Sequence, residues 1–108
     1  MKKIKVSEST GPVLDWLVAK CELGDTVHYV WEHARNKHRY STNWAQGGPV
    51  IERERINTLD NGGDFSCYYS RGAAVGIRYT GPTPLIAAMR CCVISKLGEE
   101  VGVPEELT

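Results

Sequence analysis

The chain reads as a single α+β domain: a mostly antiparallel sheet of about four strands, with two main helices and one short helix packed on it. Three observations predict this. A length of 108 residues supports one hydrophobic core and no more. The patterns run strand, helix, strand, short helix, strand, strand, helix, which puts two consecutive strands beside isolated ones instead of alternating strands and helices strictly. Phe65–Ser70 and Ala74–Thr80 flank Arg71-Gly72, the signature of an antiparallel hairpin. Residues 1–98 are expected to form the domain and residues 99–108 an acidic C-terminal tail.

Each element has a local reason. Lys2 to Val6 alternates charged and apolar residues, the period of a half-buried strand. Thr10-Gly11-Pro12 opens a helix, because Pro12 lacks the N–H that the first turn leaves unbonded. Leu14, Leu17, Val18 and Cys21 share one face of it, and Gly24 ends it. Thr26–Trp31 is β-branched and aromatic and reads as a second strand. Residues 32–39 are polar throughout and read as an exposed connection. Gly48-Pro49 is expected to start a short helix through Ile56, followed by a turn over residues 59–64. In Gly81-Pro82-Thr83-Pro84, Thr83 can cap and Pro84 can begin the last helix, which runs to Leu97 before Gly98. That helix is apolar on nearly every face. It should be central, covered by the sheet and by a second surface, either the first helix or another subunit. The segment after it, containing Pro104, is expected to be extended.

Charge narrows the partners. Lys and Arg balance Asp and Glu at 13 each, which argues against a protein held on nucleic acid by non-specific phosphate contacts. Residues 99–108 hold four of those carboxylates and no base, so the body carries a mild positive excess. Leu85–Ile94 is too short to span a bilayer, and the basic N-terminus has no apolar stretch behind it. A cytoplasmic location is the default. The four cysteines, Cys21, Cys67, Cys91 and Cys92, lack the spacing of a redox or zinc site and are expected to be buried reduced thiols.

The candidate site is the run from Tyr40 to Glu52. It has no sustained apolar period before Val50 and is rich in polar side chains. Trp44 offers a flat face for stacking on a ring. Asn43 and Gln46 can each donate and accept. Ser41 and Thr42 can donate to a phosphate. Gly47 and Gly48 let backbone amides approach a ligand just ahead of a helix N-terminus. The alternative reading makes Trp44 a cap on the core, the glycines a turn, and Ser41 or Thr42 a helix cap. Arg90 is a cation in an apolar helix and needs a partner, either a carboxylate such as Glu52 or Asp15 or a bound anion. His28, His33 and His38 recur every five residues, a period that fits neither helix nor strand, so they do not converge on a metal. No metal or cofactor is expected. No nucleophile elbow or acid pair is present, so no enzymatic activity is expected.

Long stretches of the chain match a known pattern. Ser41-Thr42-Asn43-Trp44-Ala45-Gln46-Gly47-Gly48-Pro49-Val50-Ile51-Glu52-Arg53-Glu54 and Gly81-Pro82-Thr83-Pro84-Leu85-Ile86-Ala87-Ala88-Met89-Arg90-Cys91 closely resemble the NinX family of small phage and prophage proteins. Leu14-Asp15-Trp16, Val18-Ala19-Lys20-Cys21 and Ser95-Lys96-Leu97-Gly98 are similar too, which leaves residues 26–39 and 57–79 without a clear match. The family pattern usually has Asp where this chain has Asn43 and often an aromatic where it has Cys92. The resemblance implies an accessory protein of tailed phages with no established enzymatic role.

The residues and the resemblance together lead to one expectation. The protein would bind a small anionic, ring-bearing ligand without turning it over, for example by sequestering a nucleotide-derived host immune signal. The ligand-binding residues would be Ser41, Thr42, Asn43, Trp44, Gln46, Gly47, Gly48, Arg53 and Arg90, in a homo-oligomer favoured by the apolar last helix. Its alternative is a module that docks on a host or phage protein through the same loop. An enzyme acting on nucleotides comes third.

Overall fold

A computed structural model of the chain describes residues 1–24, 27, 37–69 and 78–107. The order of elements is β1 (Lys2–Lys5), a single 3-10 turn (Val6–Glu8), α1 (Gly11–Leu23), α2 (Trp44–Glu54), β2 (Ile56–Asp60), β3 (Phe65–Tyr69), β4 (Arg78–Gly81), α3 (Pro84–Leu97), β5 (Glu100–Val103) and a last 3-10 turn (Glu105–Leu107). The α+β class is as the sequence predicts. The strands divide into two antiparallel sheets, however: a pair, β1-β5, and a triplet in the order β2-β3-β4.

Helix α3 is the hub, and its ends are where the sequence puts them. The Thr83 hydroxyl oxygen accepts from the Ile86 N–H at 3.1 Å, Pro84 takes the first position, and Gly98 closes the helix at φ 90°. Every residue from Leu85 to Ile94 is buried. One side of α3 packs on the triplet sheet and another on α1. The second surface over the apolar helix is therefore the chain's own first helix. Burial of side chains such as Leu85, Met89 and Val93 is worth about 1.5–3 kcal/mol each.

The hairpin register is clear. Ser66 faces Thr80, and Tyr68 faces Arg78, whose guanidinium carbon lies 5.4 Å from the Tyr68 ring centroid. The connection expected at Arg71-Gly72 lies outside the described residues. So does the strand expected over Thr26–Trp31, apart from Val27, which is helical and fully buried. Two strands appear that the sequence pattern did not announce. Residues 56–60, expected as a helix end and the start of a turn, form β2 along β3, with the turn confined to residues 61–64. Residues 100–103 are extended, as expected, but they form a ladder with β1 that places Val101 and Val103 in the core.

Two covalent or charged features fasten the hub. Cys67 on β3 faces Cys91 on α3, and the two form a disulfide with a Cα–Cα distance of 6.3 Å. This corrects the expectation of four reduced thiols: helix and sheet meet where each carries an inward cysteine. Cys21 and Cys92 are free, and burial pushes their thiols up to about 11 and about 12, which leaves them unreactive at neutral pH. Arg90, only 7% exposed, donates from Nε to the Ser9 carbonyl and from a terminal nitrogen to the Thr80 carbonyl, each at 2.9 Å. Burial lowers the pKa of this guanidinium, yet it is still far too basic to lose its proton. Its partners within the chain are two backbone carbonyls, not the expected carboxylate.

Two outcomes follow for stability. Arg90→Ala, which strands both carbonyls and leaves a void, is expected to cost about 3 kcal/mol in urea unfolding, with Arg90→Lys in between. Reduction of the Cys67–Cys91 bridge, which closes a loop of sequence separation 24, is expected to cost roughly 3 kcal/mol. Thiol titration of the denatured protein should find two free cysteines before reduction and four after it.

Candidate functional site

Helix α2 begins earlier than its Gly-Pro pair suggests. Asn43 is the cap: its Oδ1 accepts from the Ala45 N–H at 2.9 Å, and its carbonyl accepts from the N–H groups of Gln46 and Gly47. Gly47, Gly48 and Pro49 therefore lie inside the helix. Gly47 is there for packing. A Cβ at this position would run into the Tyr40 carbonyl and the Leu85 side chain, so only glycine lets α2 come this close to α3. Its amide is already spent on the first helical bond. At the other end Arg55 turns the chain at φ 57° and releases it into β2.

The segment before α2 is anchored from α1. Asp15 is 6% exposed, and its Oδ1 accepts from the Ser41 N–H at 2.8 Å and from the Ser41 hydroxyl at 2.7 Å. Burial raises the Asp15 pKa; the two Ser41 hydrogen bonds and the nearby Arg39 and His38 oppose the rise but do not cancel it. Ser41 is itself buried and fully engaged. Gln46 folds back so that its Oε1 accepts from the Arg39 N–H at 2.7 Å. His38 stacks on Tyr40 with ring centroids 5.9 Å apart.

The basic residues are committed as well. Arg53 bonds Glu22 of α1 at 2.9 Å and Glu54 at 3.1 Å, and Lys96 of α3 lies 3.3 Å from Glu54. Burial pushes the Glu54 carboxyl up, but hydrogen bonds from Arg53 and Lys96 outweigh it and hold the group below the usual range. This chain of charges ties α1, α2 and α3 together at the surface. It is half in water and contributes at most about 1 kcal/mol per pair. Arg90 bonds Ser9 and Thr80 and does not join the segment.

The expected site residues thus separate into two groups. Thr42, Asn43 and Trp44 are exposed together at the tip where α2 begins, with the Trp44 indole 55% exposed. Ser41, Gln46, Gly47, Arg53 and Arg90 have protein partners, and Gly48 is half-buried mid-helix. Sequence reasoning did not find Asp15 as the anchor. The signal for it was a carboxylate among the buried residues of α1, where it must have a partner. Among the described residues no three His, Cys, Asp or Glu side chains gather as a metal site, and no helix is long and apolar enough to cross a membrane.

The Asp15–Ser41 clasp has a signed pH dependence. A carboxyl whose pKa is raised by folding stabilises the fold most when protonated. That contribution is complete below the unfolded value of 3.8 and is lost as pH rises through the folded one. Asp15→Asn keeps an acceptor for Ser41 without the buried charge. It is expected to match or exceed the parent's stability at pH 7 and to flatten the fall in stability above pH 3.8. Asp15→Ala, which leaves the Ser41 donors unbonded, is expected to cost about 1–3 kcal/mol below pH 3.8 and less as pH rises. Thermal melts from pH 3 to 8 compare the three.

A search among curated proteins finds no match to the chain. The family model described as "Bacteriophage P22, NinX" matches residues 5–96, from the end of β1 to the last turn of α3, and so takes in the clasp, the capped start of α2 and the central helix. The chain belongs to the phage NinX family.

Proposed function

We propose that this phage accessory protein works by docking on a host or phage protein through the start of α2, without catalysis. One observation carries the reading: Trp44, a large aromatic, is 55% exposed at the tip of a rigidly held helix. Beneath it the segment is fixed by the Asn43 cap, the Asp15–Ser41 clasp and the close Gly47 contact. An indole displayed on a pre-ordered element is the usual chemistry of an interface hot spot, because little entropy is lost on binding. Thr42 and Asn43 supply a polar rim. The polar side chains that would read a small ligand are mostly bonded within the chain, and this favours docking over ligand capture.

Sequestration of a small anionic, ring-bearing molecule, such as a nucleotide-derived immune signal, stands as the second reading. The exposure of Trp44 beside Thr42 and Asn43 supports it, since the same face can stack on a base. Self-association has lost one argument, because α1 covers the apolar last helix that suggested it. We place the protein in the host cytoplasm. A Cys67–Cys91 bridge is compatible with that compartment, since both cysteines are fully buried and soluble thiols reach them only when the fold opens.

Trp44→Ala is expected to change the folding free energy by less than about 1 kcal/mol, as for a surface substitution. It should weaken partner binding by about 2 kcal/mol or more, the scale of a hot-spot residue. Co-purification from infected cells with parent and variant, beside thermal melts, measures both. Retention of a stoichiometric protein by the parent alone supports docking. If a nucleotide is released from the parent on heating, and calorimetry shows Trp44-dependent binding of it, the second reading replaces the first.

A further inference from the structure

An open groove of about 550 Å³ runs beside β1, at a place that shares no residue with the Trp44 tip. Lys3, Ile4 and Lys5 line it in succession. Side chains of successive strand residues point to opposite faces, so a groove touched by all three follows the strand's edge and not one face. The opposite wall is the start of α1, from Ser9 and Thr10 to Val13.

The ladder shows what that edge offers. The Val6 N–H donates to the Glu99 carbonyl, and the β1-β5 register continues from there through Lys5 and Glu100, Ile4 and Val101, Lys3 and Gly102, and Lys2 and Val103. In an antiparallel pair, hydrogen-bonded and non-bonded positions alternate. Val6, Ile4 and Lys2 therefore bond to β5, while Lys3 and Lys5 turn their N–H and C=O groups away from it. The β1-β5 sheet has no third strand among the described residues. The Lys5 C=O turns into the 3-10 turn that follows it, so the N–H and C=O of Lys3 and the N–H of Lys5 face the groove as an unpaired strand edge.

We propose that this edge accepts an extended acidic segment of a partner protein as a third strand. Backbone bonds to Lys3 and Lys5 would supply the pairing. The charge of the strand selects the occupant. Lys2, Lys3 and Lys5 crowd the strand, against Glu8 on the groove wall and Glu100, which stands opposite Lys5 on β5. Like charges placed directly opposite in a sheet repel, so a second copy pairing β1 with β1 is disfavoured, whereas Asp or Glu opposite the lysines is favoured. Ile4 and Val13 are partly buried against the core and continue its apolar row into the groove. The incoming strand therefore alternates acidic and apolar residues.

The probe is a blocked eight-residue peptide alternating Glu and Val, with a Lys-Val peptide as control, added to isotope-labelled full-length protein. In the free protein, amide exchange should be fast at Lys3 and Lys5 and slow at Ile4 and Val6. The Glu-Val peptide should slow exchange at Lys3 and Lys5 at least tenfold and shift their resonances, and the Lys-Val peptide should not. Lys3→Pro deletes an outward N–H that β5 does not use, so it should keep the melting temperature and lose most of the peptide response. Lys3→Glu with Lys5→Glu should weaken Glu-Val binding at least tenfold. The proposal is overturned by unchanged Lys3 and Lys5 amides at millimolar Glu-Val peptide, or by an equal response to both peptides. It is also overturned by concentration-dependent protection of these amides in the free protein, which would mean that a second copy covers the edge.

Discussion

One buried guanidinium ties the central helix both to the end of the N-terminal arm and to the triplet sheet. Arg90 sits in the middle of α3 and donates to the carbonyl of Ser9, just after the β1 arm, and to the carbonyl of Thr80 in β4. The triplet β2-β3-β4 is also fixed to α3 by the Cys67–Cys91 bridge and by the Tyr69 hydroxyl, 3.2 Å from that of Ser95, whereas apolar contacts, which are non-directional, fix no orientation. A charge can lie here because its geometry is complementary. Carbonyls at two different bearings match a planar fork of donors, which a lysine ammonium does not present in fixed directions. The burial that depresses its pKa also strengthens each bond it makes. The place of Arg90 in the chain is thus explained without a ligand.

The same economy governs the segment from Tyr40 to Glu52. Its polarity suggested an open binding loop, but most of that polarity is consumed in building a rigid entry to α2. Asp15 takes both Ser41 donors, Gln46 returns to the Arg39 amide, and Asn43 satisfies the helix start. Buried or half-buried polar groups must find partners, and here they find each other. What is left over is the indole of Trp44, held outward. A tip pre-ordered in this way can discriminate between partners at small entropic cost, and this is why rigidity around an exposed aromatic carries more functional meaning than the polar composition of the run.

How much of this was legible in the sequence depended on the distance between partners. Thr83, Pro84 and Gly98 mark the ends of α3 by local chemistry, and Gly24 does the same for α1, so both helices were readable. The hairpin strands were readable because their partners are near neighbours. Strands β2 and β5 were not. Asn57-Thr58-Leu59-Asp60 is weakly strand-forming, and Glu100-Val101-Gly102-Val103 becomes a strand only because β1, almost the whole chain away, meets it. The start of α2 was misplaced because Gly48-Pro49 is a strong opening signal, while the Asn43 cap is a weaker one that prevails when Gly47 must pack on Leu85. Trp44, Thr42 and Asn43 have the binding chemistry the sequence suggests and are exposed. Ser41, Arg53 and Arg90 have the same polar chemistry, and their partners Asp15, Glu22, Ser9 and Thr80 are visible only in three dimensions.

The division into two sheets has its own consequence for how the molecule meets others. A two-stranded sheet closed by the chain's N-terminal strand leaves edges that a single larger sheet would have shared out. Here one edge is guarded by lysines, the usual defence against indiscriminate strand pairing. The defence is selective: positive charge repels another β1 but attracts an acidic strand. Placing Trp44 on a helix tip and the lysines on a strand edge gives the chain two surfaces of different chemistry, one aromatic and one electrostatic. Salt screens the second and leaves the first almost untouched, so the ionic-strength dependence of any complex reports which surface holds it.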